Sequence, residues 1–359
     1  MSNYDLGTLW AETVSYNNYT VSPSDPADVF KFNLSTNRNI SLNLHDISNG
    51  DNANLTLYRD SNFNGVLDNG DLFISFSAEN GNADDVIDVP AITGTYFARV
   101  NRYAADSIGS VSYDLDLSTN LDVGTLWSSP VSYNNDFLSS NNPVEVYEFD
   151  IANSRTINLS VHDVSSGDNV DLRLYQDNGN GIFDDADTLV DASIYGDDEL
   201  INYRGSAGTY FAEVRRNSYN GGLSYDLDMS ATSHRAGNLV AAEKVVGDIT
   251  NVTPDQTGNI GNFNTADTYA FSLETYEGVN IELLGLTDNA NMRLIRDNNQ
   301  NGIIDGGEII EGSYSAGSSN EQINNVTLSG DYFLQVYQGS AGSITGYTLE
   351  FDHFSTPYA

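Results

Sequence analysis

The sequence predicts an all-β chain built as three tandem antiparallel β-sandwich domains of about 115–120 residues each. Three observations carry this. Motifs recur at domain-sized spacing, with Asn64, Asn180 and Asn301 in matched loops about every 120 residues, far longer than a solenoid period. Short runs alternate apolar and polar side chains between Gly, Asn, Asp and Ser turns, and no stretch holds a 3.6-residue period over ten residues. One oxygen-rich loop returns in each unit between two strand-like segments.

Taken in order, each unit opens on a matched segment, Leu6-Gly7-Thr8-Leu9-Trp10 in the first and Val123-Gly124-Thr125-Leu126-Trp127 in the second. Val14-Ser15-Tyr16-Asn17-Asn18 likewise recurs as Val131-Ser132-Tyr133-Asn134-Asn135. In the first unit the alternating runs are Val29–Leu34, Ile40–Leu44, Asn54–Tyr58, Leu72–Phe76, Val86–Val89, Tyr96–Val100 and Tyr113–Leu117, which gives seven or eight strands per unit. Their outward positions hold Asp, Asn, Ser and Thr, as expected where one sheet face meets water. The expected domains are 1–119, 120–234 and 235–359.

The loop is the chemically informative element. From Asp60, oxygen donors fall at positions 1, 3, 5, 9 and 12: Asp60, Asn62, Asn64, Asp68 and Asp71. Gly65 holds position 6, and Val66 at position 7 offers a backbone carbonyl. This is the ligand order of the EF-hand calcium loop. A hard cation taking six to eight oxygens at about 2.3–2.6 Å explains why every second side chain carries one. The third loop repeats it with Asp297, Asn299, Asn301, Ile303, Asp305 and a bidentate candidate, Glu308. The second departs: Asn178, Asn180, Ile182, Asp184 and Asp187 align, but Gln176 stands where Asp60 stood. Either this loop is one residue shorter, with Asp177 first, or its site is weaker. Turn formation alone also favours Asn, Asp and Gly, yet three matched copies point to calcium. Strand-like flanks argue against a helix–loop–helix setting.

Composition narrows the partners. The chain has 359 residues, no cysteine, 14 Lys+Arg against 51 Asp+Glu, and a formal net charge of −37. With 22 Tyr and 15 Phe it holds enough apolar matter to fold rather than remain an acidic disordered tail. No basic patch is present for phosphate, so nucleic acid and anionic membrane surfaces are not expected partners. No apolar run approaches the roughly 18 residues of a membrane span, and Met1–Trp10 shows neither basic nor apolar signal-peptide regions. Acidity, absence of cysteine and weak calcium loops fit export and completion by extracellular calcium, through a route the sequence leaves open.

The ordered motifs also resemble the bacterial pre-peptidase C-terminal domain. They run from an apolar strand (Val29 to Phe32, Val146 to Phe149, Thr268 to Phe271) through a segment before Asn/Asp-Leu-x-Leu-Tyr and an acidic Asn-Gly loop. A Gly-x-Tyr-Phe-x-x-Val strand (Gly94–Val100, Gly208–Val214, Gly330–Val336) and a closing strand at Tyr113, Tyr225 or Tyr347 follow. The resemblance extends over almost the whole chain in three copies and implies a sandwich of secreted bacterial proteins. It departs from the family in lacking a preceding peptidase domain and in its fuller calcium loop.

Catalytic motifs are absent: there is no His-Glu-x-x-His, no Gly-x-Ser-x-Gly and no P-loop. His45 and His162 are repeat-equivalent and read as structural strand-end residues. The acid pairs Asp84-Asp85, Asp184-Asp185 and Asp197-Asp198 read as solvated or metal-ligating rather than as glycosidase carboxylates. Asp51, Asp168 and Asp288 are either Asx-turn residues or further calcium ligands. Trp10 and Trp127 are expected in core or interdomain packing, and the runs Tyr16–Tyr19 and Tyr133–Phe137 at an exposed recognition surface. The expected function is a secreted, non-catalytic, calcium-binding structural protein of a bacterial extracellular matrix, surface layer or adhesive assembly. The alternative is a carbohydrate- or protein-binding accessory module of a secreted enzyme. Expected partners are calcium, the chain itself head to tail, and an extracellular polysaccharide or protein.

Overall fold

A computed structural model describes residues 1–103, 109–140, 142–194, 198–217, 221–250 and 252–356. The first sandwich contains β1 (Ser2–Thr8), β2 (Val14–Val21), β3 (Ala27–Leu34), β4 (Arg38–His45), β5 (Ala53–Arg59), β6 (Leu72–Ser77), β7 (Asp85–Ala91), β8 (Gly94–Arg102) and β9 (Val111–Thr125). Its strands form two sheets, β1-β3-β8-β5-β6 and β2-β9-β4-β7.

The second sandwich continues with β10 (Val131–Leu138), β11 (Val144–Ile151), β12 (Arg155–His162), β13 (Val170–Gln176), β14 (Thr188–Ser193), β15 (Glu199–Gly205), β16 (Gly208–Arg216) and β17 (Leu223–Thr232). The third comprises β18 (Lys244–Asp248), β19 (Gln256–Ile260), β20 (Ala266–Leu273), β21 (Glu277–Leu284), β22 (Ala290–Ile295), β23 (Ile309–Ser313), β24 (Glu321–Val326), β25 (Gly330–Gln338) and β26 (Thr345–Ser355). Both repeat the first arrangement, as β9-β11-β16-β13-β14 over β10-β17-β12-β15 and β18-β20-β25-β22-β23 over β19-β26-β21-β24. No helix occurs among the described residues.

Two features refine the expected antiparallel sandwich. The first strand of each unit runs parallel to its neighbour, β1 to β3, β9 to β11 and β18 to β20. The Leu-Gly-Thr-Leu-Trp and Val-Ser-Tyr-Asn-Asn segments are themselves strand-forming, which raises the count above seven or eight. And β9 is one continuous strand: Asn39 pairs with Asn120 in the first sandwich, and Leu121 pairs with Tyr147 in the second. Residues 119 and 120 therefore lie within an element that both sandwiches use.

Alternation drives each sheet into a core. On β5, Ala53, Leu55 and Leu57 are buried while Asn54, Thr56 and Tyr58 face outward. Three separate clusters result, around Phe30, Phe32 and Tyr96, around Phe149, Tyr210 and Tyr225, and around Phe271, Tyr332 and Tyr347. Each large side chain so buried contributes about 1.5–3 kcal/mol relative to exposure.

Two expectations fail for the same reason, the direction of side chains along a strand. Leu9 and Leu126 enter the cores, so Trp127 is turned outward, 48% exposed, beneath Arg155 at 4.5 Å. The tyrosine run does not form an exposed surface either. A register shift in β2 between Tyr16 and Tyr19, with Asn18 at φ 58°, turns both rings inward against Phe30. Tyr133 packs likewise on Tyr147, and in that run Phe137 remains exposed.

Consecutive sandwiches pack sheet to sheet. The outer face of β9-β4-β7 lies on the second sandwich, where Arg38 pairs with Glu145 and Asn39 Nδ2 donates to Glu148 Oε2 at 3.1 Å. Ala11 packs there with Val144, Val146 and Phe211. At the second junction Leu239 bridges Ile303, Val240 N–H donates to the Gly302 carbonyl at 2.7 Å, and Ile304 N–H donates to the Asn238 carbonyl at 2.9 Å.

Candidate metal centres

The three loops each join the fifth and sixth strands of a unit, with strands on both sides as the flanking sequence predicts. Left-handed residues give each its sharp turn: Phe63 and Gly65, Gly179 and Gly181, Gln300 and Gly302. Glycine meets that demand without strain, and Gly65, Gly181 and Gly302 hold the same place in all three.

Hydrogen bonding aligns the donors identically. The first carboxylate accepts from the loop glycine: Gly65 N–H to Asp60 Oδ2 at 2.8 Å, Gly181 N–H to Asp177 Oδ1 at 3.2 Å, and Gly302 N–H to Asp297 Oδ2 at 2.9 Å. Asp177 thus stands where Asp60 and Asp297 stand, and the second loop is one residue shorter. The last carboxylate accepts from the ninth-position amide: Asp68 to Asp71 Oδ2 (2.8 Å), Asp184 to Asp187 Oδ2 (3.1 Å) and Asp305 to Glu308 Oε2 (2.8 Å). Between them, Asn64, Asn180 and Asn301 donate side-chain amides to Asp68, Asp184 and Asp305, and Asn62, Asn178 and Asn299 do the same. The seventh residues Val66, Ile182 and Ile303 donate N–H to the fifth-position side chain, leaving their carbonyls uninvolved in that bond.

These residues fit a hard cation. Each loop gathers carboxylate and amide oxygens from alternating positions, and Asp71 Oδ1 is buried without a hydrogen-bond partner. An oxygen in that state is stabilised by an added positive charge. The Gly70 amide holds Asp68 below the usual carboxylate range, whereas burial raises Asp187 to about 6 with Asp184 and Asp177 adding repulsion.

Asp51 and Asp288 serve turns: Ser48 Oγ donates to Asp51 at 2.6 Å, while Asn289 N–H (2.7 Å) and Ser343 Oγ (3.2 Å) donate to Asp288. Asp85 is buried at the start of β7, accepting from Ser77 Oγ and Glu79 N–H. Asp197 lies outside the described residues.

Sequence reasoning did not find two constellations. His45, Asp46 and Asp114, and equally His162, Asp163 and Asp226, bring ligand atoms within 4.8 Å of one another. The matched His-Asp and Tyr-Asp-Leu-Asp motifs signalled them, but their convergence depends on pairing β4 with β9 and β12 with β17. Each ring is held from both sides: His162 Nε2 lies 2.9 Å from Asp228 and Nδ1 3.2 Å from Asp163, which raises its pKa to about 9, the bond to Asp228 contributing most. The second constellation sits at the first junction. There burial, with Asp88 and Asp122 nearby, raises Glu148 to about 7, and burial raises Asp88 to about 6.

Residues 143–216 and 265–338 match the family described as the bacterial pre-peptidase C-terminal domain. The first sandwich, which the expected resemblance also included, lies outside those two matches. No curated protein matches the chain. Solved structures similar to it include the pre-peptidase C-terminal domain of collagenase from Bacillus anthracis, at 19% identity over 33% of this chain and 95% of that one, TM-score 0.24. Another is a periplasmic inhibitor of g-type lysozyme from Aeromonas hydrophila, at 15% identity over 33% and 98% of the two chains, TM-score 0.24.

Proposed function

We propose that this chain is a secreted, non-catalytic structural protein, an array of three sandwiches stabilised by calcium in its loops and able to associate with itself in an extracellular matrix, surface layer or adhesive assembly. The observation that carries the reading is the threefold recurrence of one oxygen-donor loop with the same internal hydrogen bonds. Calcium would be held by Asp60, Asn62, Asn64, Val66, Asp68 and Asp71, by Asp177, Asn178, Asn180, Ile182, Asp184 and Asp187, and by Asp297, Asn299, Asn301, Ile303, Asp305 and Glu308. When bound it supplies positive charge among carboxylates that otherwise repel one another. The side chains' task is to stay converged, which the loop amides already enforce.

Calorimetric titration tests this directly. Two to three ions should bind, with the shorter Asp177 loop weakest, and calcium should raise the melting temperature. A ligand confined to the folded state stabilises by about 2.7 kcal/mol at a hundredfold excess over Kd. A melting curve indifferent to chelator, with no heat of binding, overturns the reading.

The match of two segments to the pre-peptidase C-terminal family favours a second reading, an accessory module that binds carbohydrate or protein for a secreted enzyme. A defined hit on a glycan or collagen array would support it over the structural role.

A further inference from the structure

Each sandwich has two outer faces, and within the chain they pair in one way only. The outer face of the β9-β4-β7 sheet, or of its equivalent, covers the outer face of the next unit's β11-β16 sheet or equivalent. Residues at the covered positions record it: Ser41 and Asn120 in the first unit, and Asn158 and Ser230 in the second, point away from their own cores yet are buried. On the receiving side, the seventh loop residue shows the same effect. Ile182 is 3% exposed beneath the first sandwich, whereas Val66, its equivalent, is 63% exposed.

Two faces of this kind are therefore open in the chain. One is the receiving face of the first sandwich. There Val29, Lys31, Phe97 and Val66 surround a cavity of 320 Å³, and Arg99 stands beside Val29 across the strands. The other is the covering face of the third sandwich. Its positions equivalent to Ser160, Asp228 and Ser230 are Glu282, Glu350 and Asp352, none of them buried.

The substitutions on the two open faces are opposite in charge. Glu282 and Glu350 are direct cross-strand neighbours, an arrangement of like charges that is destabilising in isolation. The histidine that bonds the equivalent Asp228 is replaced by Leu284. On the receiving face, Lys31 is joined by Arg99, whose equivalents Glu213 and Gln335 are buried and uncharged or acidic. Arg99 has no ion-pair partner among the described residues, and its Nε is buried without a hydrogen bond.

We propose that the covering face of the third sandwich docks on the receiving face of the first sandwich of a second copy of this chain, in the geometry of the internal junctions. Arg99 and Lys31 then meet Glu350 and Glu282, and Val66 is covered as Ile182 is. The contact is heterologous and adds copies head to tail into open filaments. It rests on the self-associating reading above and names the surfaces that carry it.

Sedimentation velocity of the full chain over a wide concentration range tests it, with and without calcium, bound ions being counted by calorimetry on the same samples. Concentration-dependent assembly is expected. Arg99→Glu and Glu350→Arg should each weaken it by about tenfold or more, and the two variants mixed with each other, or both changes in one chain, should restore most of the loss. Both positions are on open faces, and unchanged melting curves exclude misfolding as the cause. Calcium binding without assembly overturns the docking and leaves the calcium reading standing. Assembly without calcium binding does the reverse. Assembly that survives both single variants, or that the reciprocal pair does not restore, also overturns the docking.

Discussion

Arg38 and Glu145 form a bidentate ion pair across the first junction, with Nη2 donating to Oε2 at 2.8 Å and Nη1 to Oε1. Their side chains are only 9% and 3% exposed. In the other units the position of Glu145 is Asp28 or Asp267, which accepts from its own unit's Tyr113 or Tyr347 hydroxyl. The longer glutamate instead reaches the neighbouring sandwich.

Removing one partner leaves a buried charge unpaired. Arg38→Ala should destabilise the first junction by about 3–5 kcal/mol, and Arg38→Met with Glu145→Met should recover most of that. Chemical denaturation of the full chain measures both; a double variant no better than the single one contradicts the account.

Glu148 gives the same junction a pH dependence of definite sign. Its folded pKa of about 7 is raised above its unfolded value by burial and then by Asp88. The folded state therefore binds more protons, and stability falls as pH rises from about 4.5 through 7. Discounting for partial exposure, Glu148→Gln should stabilise by roughly 1–2 kcal/mol at pH 8 and by little at pH 4. Equal effects at the two pH values would contradict it.

His162 runs the opposite way. Its pKa of about 9 is raised, foremost by Asp228, so its contribution is complete below about pH 6.5 and disappears as pH rises through 9. His162→Gln should cost about 1–2 kcal/mol at pH 6 and far less at pH 10, read from denaturation midpoints.

Loop variants separate the calcium centres. Asp71→Ala and Glu308→Ala should each lower the calorimetric stoichiometry by one ion while leaving the other loops unchanged. Unaltered stoichiometry in either variant removes that loop from the assignment.

Much of the architecture was legible because it is written in local pattern. Alternation gave the strands around Leu55, Phe97 and Leu115, and repetition gave three units. The donor order in the loops was equally readable, down to the ambiguity at Gln176, which the Gly181–Asp177 bond resolves. What the sequence hid depends on neighbours far away in the chain. Nothing local marks Leu6–Trp10 as a strand parallel to β3, or Arg38 as the partner of Glu145. The double asparagine in Tyr16-Asn17-Asn18-Tyr19 did hold the clue to its bulge, since asparagine tolerates the left-handed φ that Asn18 adopts.

The unbroken course of β9 makes the two internal junctions mechanically unequal. Under tension along the chain, load entering the first sandwich leaves it through a strand hydrogen-bonded to β2 and β4 on one stretch and to β11 on the next. Separating these sandwiches means shearing ladders in both at once, whereas the second joint can open by peeling the short Leu239–Ile303 contact. A pulled molecule should first lengthen at its second joint and keep sandwiches one and two together as a single stiff rod.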